Sequence, residues 1–524
     1  LRLYQPNTGE EAKYVALSYC WGKTGNLTTT KATISNRKCG ISWDLLPNSF
    51  RDAVTITRGL GMRYLWIDAL CIVQDDKSDW EREAAKMGQV YENAFLTIAT
   101  DAAKDPTRGI LTPRSTGLVS TSPRDDRPAR NSRVLEFTLL DAQADVYNIR
   151  VREPLNHNDL VMPRSSYEIT YPLLARSWTL QERLLARRTL HFTESEIVWE
   201  CKTTLFCECG CISREFAGLD GAHSPKVGFE RAIKEISNES ASRLDQAMAQ
   251  YPRTKLITMA WTLMIAGYST RQLTYSSDKL PAISGLARKF YNLHNSFEQR
   301  TYLAGLWLED LPWLLCWRAF IRRSDKRTAV SSAPTWSWAS LETPVIWDHN
   351  MLEVKSQVEV ISTSSSPQGQ DFLGQVKSGK IVLRGLVQKA TLEFDASDGT
   401  VLDLRNIKGE RISFVPDNNI VSSSSDDGNK DRLDLLQLGA FSLTSGNEVS
   451  CLWILHDIKN DGVWGLVLVT SPDKSISRSA SGCTSSTVFE RIGIITQMSW
   501  KYQKDKVSSI YWFDGSKEKT ITII

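Results

Sequence analysis

The sequence predicts an α/β N-terminal domain built on a parallel sheet, followed by a helical middle region and a β-rich C-terminal part. Three observations predict this. Between Tyr14 and Thr100, short apolar runs alternate with capped helical segments, the order of a parallel sheet with right-handed crossovers. From Val227 to about Phe320, apolar residues recur at helical spacing. After Ala333, β-branched runs alternate with Ser-rich breaks. At 524 residues the chain is too long for one ordinary core. The boundaries expected are 1–215 with an insertion at about 115–171, then 216–330, then 331–524.

The elements follow in order. Val15 to Tyr19 reads as a first strand that ends in a tight Cys20-Trp21-Gly22 turn. Pro47 and Asn48 introduce a helix through Leu60, with Phe50, Val54 and Thr57 on its inner face. Tyr64 to Ile67 is a strand ending in Asp68, where open α/β sheets present functional groups. Ser78 and Glu81 have the spacing of a capping box. Trp80, Ala84, Met87, Tyr91 and Ala94 then mark one buried helix face, and Phe95 to Ala99 resumes as a strand. Glu83 is the misfit. At about 100° per residue it falls at the edge of the apolar stripe, away from Glu81, Arg82, Lys86 and Glu92. A carboxylate turned toward a core needs a partner or a purpose.

Later, Gln181 to Leu185 suits a helix, and Thr189 to Phe192 and Ile197 to Cys201 suit strands. Leu256, Met259, Trp261, Met264 and Ile265 belong to one helix, and Ala282, Leu286 and Phe290 to another. Lys380 to Val387, Arg411 to Val415, Cys451 to Leu455, Trp464 to Val469 and Arg491 to Ile495 read as strands. Ser362 to Ser366, Ser422 to Ser425 and Ser475 to Ser486 read as loops.

Composition narrows the function classes. The net charge of +3 gives no electrostatic case for nucleic acid or an acidic membrane. No apolar run reaches about 18 residues, so no membrane-spanning helix is expected. The chain begins with Leu rather than Met, which reads as a fragment or a processed chain. Ten Cys in a chain this long do not make a disulfide framework; scattered reduced thiols fit a cytoplasmic protein. The sequence contains no G-x-G-x-x-G, no Walker A pattern and no G-x-S-x-G, so cofactor-dependent dehydrogenase, P-loop and serine-hydrolase readings lack support.

Three blocks occur in order: YVALSYCWG at 14–22, LWIDALCIVQDD with Trp80, Glu83, Met87 and Tyr91 downstream, and RSWTLQERLLARRTLHF at 176–192. Together they resemble the fungal heterokaryon-incompatibility (HET) domain. That family is similar, at a distance, to Toll/interleukin-receptor-like (TIR) domains. The resemblance implies a TIR-like, flavodoxin-like parallel sheet and a role in fungal non-self recognition and programmed cell death. Many TIR domains cleave NAD+ with a glutamate shortly after a Trp. Trp80 and Glu83 occupy the comparable place, one residue off the usual spacing.

On that reading NAD+ is a substrate and no cofactor is needed. Glu83 would stabilise an oxocarbenium-like ribose as nicotinamide departs. Tyr19 and Trp21 would stack the pyridinium, Asp68 would add a polar anchor, Arg176 would meet a phosphate, and Gln181 or Glu182 would line the same cleft. The structural alternative has Glu83 paired with a buried Arg or capping a loop. Two further functional readings stand beside hydrolysis: a non-catalytic signalling module that self-associates or binds another signalling protein, and a scaffold recruited for another small-molecule reaction. Asp75 and Asp76 read as a solvated loop before a helix rather than a cation site. Cys201, Cys207, Cys209 and Cys211 are too tightly spaced for a standard zinc motif, and no paired His follows. No metal site is assigned, and His191 reads as a packing residue.

Overall fold

Tyr14–Ser18 (β1) carries Val15, Ala16 and Leu17 in succession, and all three are fully buried. A strand apolar on both faces belongs in the middle of a parallel sheet covered on both sides. The computed structural model describes residues 1–23, 25–111, 135–140, 146–151, 157–161, 170–212, 224–237, 251–320, 333–348, 354–394, 402–417, 420–422, 434–438, 441–443, 446–457, 462–471, 487–496 and 512–524. They fall into two compact units, Leu1–Leu244 and Asp245–Ile524.

In the first unit β1 pairs in parallel with Tyr64–Trp66 (β2) on one side and Leu96–Ala99 (β3) on the other. The expected parallel arrangement is therefore observed. Arg188–Phe192 (β4) extends the sheet in parallel beside β3. Ile197–Cys201 (β5) and Leu205–Cys207 (β6) add antiparallel, giving the order β2-β1-β3-β4-β5-β6. The helix Asn48–Gly59 (α1) buries Phe50, Ala53, Val54 and Thr57. The helix Lys77–Asn93 (α2) buries Ala84, Met87 and Tyr91, the face expected from periodicity.

The start of α2 differs from expectation. Its N-cap is Asp76, whose Oδ1 accepts from Ser78 N at 3.0 Å and Asp79 N at 3.4 Å. A carboxylate both accepts and complements the positive helix end, so it displaces the Ser hydroxyl from that role. Ser78 instead donates its hydroxyl to Asp76 at 2.7 Å, and Glu81 pairs with Lys77 at 3.8 Å. Two further helices flank the sheet's second half. Thr179–Leu185 (α3) is buried at every position, and Pro225–Ser237 (α4) follows the sheet. Within the segment read as an insertion, Leu135–Leu140 pairs antiparallel with Val146–Val151.

The second unit begins with Arg253–Ser269 (α5) and Ser284–Asn295 (α6), both at places where helical periodicity was read. Trp261 of α5 is fully buried and packs edge-on against Phe290 of α6, ring centroids 5.2 Å apart. The C-terminal part is strand-rich, as expected. Its nine-stranded sheet is organised by one long strand, Val376–Phe394. That strand pairs with Val358–Pro367, Leu402–Asn406, Glu448–Asp457 and Lys517–Ile523. The pairings run on through Gly462–Thr470, Val488–Ile495 and Arg411–Pro416 back to Leu402–Asn406, so the sheet closes on itself. Closure leaves few free edges.

The expected loop at Ser362 to Ser366 is instead part of the strand Val358–Pro367. It lies at an open end of the strand order with most of its side chains in solvent, where Ser costs little. The other Ser-rich breaks lie mostly outside the described residues. This sheet is joined to the helical part of its own unit by Arg491. Its guanidinium donates to Leu315 O and Trp317 O, both at 2.6 Å, and stacks 3.4 Å from the Trp317 ring. No helix among the described residues is long and apolar enough to cross a membrane.

Candidate functional site

β1 lies between β2 and β3, and all three run the same way, so their carboxyl ends share one edge. The chain leaves β1 toward β2 and returns on the far side as β3. That reversal is the topological switch point at which open α/β sheets place their sites. Tyr19 and Trp21 follow β1, Asp68 follows β2, and Asp101 follows β3.

Tyr19, Trp21, Asp68 and Arg176 meet at this edge. Trp21 Nε1 donates to Asp68 Oδ2 at 2.7 Å, and Ala69 N donates to Asp68 Oδ1 at 2.6 Å. Arg176 Nη1 donates to Tyr19 O at 2.7 Å. The Tyr19 hydroxyl donates to Asn26 Oδ1 at 3.2 Å, and its ring packs edge-on against Phe50 of α1. Gly22 makes the turn possible. Its φ is +66°, and a Cβ there would lie 2.4 Å from Asp105 Cβ. Trp21, Asp68 and Arg176 each keep part of their surface in solvent, whereas Tyr19 is buried. Burial pushes the Asp68 carboxyl above its usual range, against the opposing effect of its hydrogen bonds and of Arg176.

Below this rim sits an acid that sequence reasoning named only as a possible cleft lining. Glu182, in the first turn of α3, is 6% exposed. Its Oε2 accepts from Ser18 Oγ at 2.5 Å, at the end of β1. Burial pushes its carboxyl up to about 7; the Ser18 bond and Arg176 pull it down, while Asp68 pushes it further up. A carboxyl that titrates there both gives and takes a proton near neutrality. Tyr91 reaches up from α2 to donate to Leu17 O at 3.0 Å.

Glu83 is placed differently. Because α2 begins at Lys77, Glu83 lies in its second turn. Its Oε1 accepts from Arg82 Nε at 3.2 Å and Lys86 Nζ at 3.3 Å, so it shares the solvated flank with the charges it was read as facing away from. It still stands near the rim. Asp68 and Glu83 both raise the thiol of the half-buried Cys71, which desolvation above all pushes to about 12. The rim residues bond to one another and not to Glu83.

A second polar group lies deeper. His191 is not a packing residue: its Nδ1 meets Asp101 Oδ2 at 2.8 Å and its Nε2 meets Glu200 Oε2 at 3.1 Å. Glu200 also accepts from Arg183 Nε and Nη2 at 2.9 and 2.7 Å, and Lys226 Nζ lies 3.5 Å away. All five side chains are essentially out of solvent. Burial opposes ionisation of Glu200, yet the surrounding cations hold its carboxyl well below the usual range. Burial pulls Lys226 down to about 8. Between this group and Glu182 is a cavity with about 10 Å³ for the centre of a water, the room of a single water. Asp101 Oδ1 and Thr97 Oγ1 line it without a hydrogen-bond partner among the described residues.

Asp75 and Asp76 behave as the loop that was expected. Asp75 Oδ1 accepts from Lys31 N at 2.7 Å, and Asp76 caps α2. Comparison with curated proteins gives no match, and neither does comparison with solved structures. Residues 14–182 match the family described as heterokaryon incompatibility protein (HET), a span that contains every rim residue and ends on Glu182. This chain carries a HET domain.

Proposed function

We propose that the chain acts in fungal heterokaryon incompatibility as a cell-death effector that cleaves the nicotinamide–ribose bond of NAD+. The observation that carries this reading is the rim itself. An indole, a carboxylate with raised affinity for its proton, and a guanidinium are gathered at the carboxyl ends of parallel strands, each partly open to solvent. This is the composition such a reaction asks for. Trp21 offers a face to the pyridinium, Arg176 a charge to the pyrophosphate, and Asp68 a carboxylate to the ribose hydroxyls and the growing positive charge. Nicotinamide leaves neutral, so no strong general acid is required. Glu83 is the second carboxylate of this reading. It is held only by partly exposed ion pairs, which are worth about 0–1 kcal/mol and release it easily.

The test is nicotinamide release from NAD+ by the purified full chain, run beside Asp68→Asn, Trp21→Ala and Glu83→Gln. Asp68→Asn is expected to lower the rate by about 100-fold or more. An equal loss in Glu83→Gln assigns Glu83 a direct part in the chemistry; wild-type rate in that variant confines the reaction to the rim. No NAD+ loss by the wild-type chain at any protein concentration overturns the hydrolase reading.

A non-catalytic signalling module is the second reading. It is favoured by the pairing of Glu83 with Arg82 and Lys86 and by the single-water size of the cavity beside Glu182. It predicts toxicity that survives Asp68→Asn and tracks self-association measured by light scattering.

A further inference from the structure

We propose that His157, Glu196, Cys207 and Cys209 form a zinc site at the outer end of the first unit's sheet. The four residues come from separate stretches of chain. His157 directly precedes the helical turn Asn158–Val161, and Glu196 precedes β5. Cys207 ends β6, and Cys209 stands in the turn that follows. One donor atom from each lies within 4.8 Å of all the others. His157, Glu196 and Cys207 are buried and Cys209 is half-buried.

The spacing fits one tetrahedral ion. With Zn–S near 2.3 Å, Zn–N near 2.05 Å and Zn–O near 2.0 Å, tetrahedral geometry sets S···S at about 3.8 Å, S···N at about 3.6 Å and S···O at about 3.5 Å. Cys207 Sγ lies 3.4 Å from Cys209 Sγ. Cys209 Sγ lies 3.6 Å from His157 Nε2 and 3.5 Å from Glu196 Oε1. Two pairs are closer than two ligands of one zinc would be: the sulfurs by about 0.4 Å, and His157 Nε2 and Glu196 Oε1, at 2.5 Å, by more. That pair would part on binding.

The surroundings support the same reading. Cys209 N donates to Glu196 Oε2 at 2.9 Å, which turns the other oxygen toward the sulfurs. Ile212 N lies 3.4 Å from Cys207 Sγ, a donor suited to a thiolate. Such contacts orient ligands in metal sites. The single-residue spacer between Cys207 and Cys209, an obstacle when both are read as a linear chelate, is bridged by the turn after β6. Cys201 and Cys211 take no part: Cys201 Sγ contacts Thr203 Oγ1 at 3.2 Å, and Cys211 Sγ faces Cys209 O at 3.9 Å.

The mixed nitrogen, oxygen and sulfur set selects zinc over hard cations. Four protein ligands in a buried place leave no open position for substrate, so the ion is structural. It would tie the segment at His157 to the β5–β6 hairpin, where the sheet otherwise ends.

The experiment equilibrates the purified full chain with zinc, removes free metal, and measures bound zinc by elemental analysis. Roughly one zinc per chain is expected. Cobalt in its place should give tetrahedral visible bands and a thiolate charge-transfer band. His157→Ala and Cys209→Ser should each lose most of the metal, whereas Cys39→Ser, at an exposed thiol, should keep it. If those variants fail to fold, alkylation of the unmodified chain decides the question. Zinc should protect Cys207 and Cys209, and not Cys39, from a thiol reagent. A folded wild-type chain that retains no zinc overturns the proposal. So does full metal content in both ligand variants, or equal alkylation of Cys207 and Cys209 with and without zinc.

Discussion

In the interior of the first unit, Asp101, Arg183, His191, Glu200 and Lys226 meet out of solvent. In the second unit, comparable space is filled by Trp261, Trp307, Trp317, Trp336 and Trp338, all fully buried. The two interiors fail in different ways. The indoles depend little on one another's charge: among the described residues Trp307 and Trp336 keep their Nε1 without an acceptor. Trp261 and Trp338 both donate Nε1 to Gly305 O at 3.0 Å, and the rest of each ring is held by packing. Losing one leaves a void whose cost depends on how far its neighbours relax. The charged group has no such independence. The Glu200 carboxylate is stable as an ion only because Arg183 and Lys226 stand beside it. An apolar interior degrades by increments, and an ionic one stands or falls as a unit.

The sharpest way to break the comparison is Glu200→Gln. It removes the negative charge that Arg183, His191 and Lys226 share. The expected cost is about 3–5 kcal/mol, read as a lowered denaturation midpoint of the first unit. Trp261→Leu in the second unit should cost about 2 kcal/mol. If Glu200→Gln costs less than that, the ionic interior is not cooperative and the contrast fails.

The next test uses pH. Glu182 has a folded-state pKa of about 7, above its ordinary 4.5. The folded chain thus holds more protons than the unfolded chain between those values. Its contribution is fully present below about pH 4.5 and is lost as pH rises through 7. Relative to Glu182→Gln, the wild type should lose up to about 3 kcal/mol between pH 4.5 and pH 8. Parallel stability profiles for the two proteins would show that Glu182 is not proton-linked to folding.

The smallest effect belongs to Glu83→Gln. Its partners are partly exposed, and stability should change by less than about 0.5 kcal/mol. That makes it a clean probe of activity. A large loss of stability would mean that Glu83 reaches the interior and that its surface ion pairs are not its main role.

These elements were legible in the sequence to different degrees. The strand–helix–strand order showed because β1, β2, α1 and α2 have periodicities that local sequence determines. Tyr19, Trp21 and Asp68 were read as neighbours because strand ends in a parallel sheet are predictable places, and Arg176 was added from the block at 176–192. Glu182 was read only as a residue lining the cleft, and the burial of its neighbours was not legible, because α3 reads as an ordinary polar segment, TLQERLL, yet it is buried throughout. Partners outside the helix make that burial tolerable, among them Ser18 for Glu182 and Glu200 and Leu160 for Arg183, and the helix's own residues do not announce them. The start of α2 was misplaced by two residues because two acceptors, Asp76 and Ser78, competed for the same amides. His157 lies too far from Cys207 for any spacing rule to join them.

The burial of α3 also governs how water enters the first unit. A helix of seven residues is too short to hold itself together in water, and this one has no solvent face. Its amide protons can therefore exchange only when the structure around it opens, at a free energy close to that of global unfolding. Thr179 to Leu185 thus act as a clock for the whole unit. Isotope uptake there reports the rarest opening event, while the ends of α2 exchange early and report only fraying.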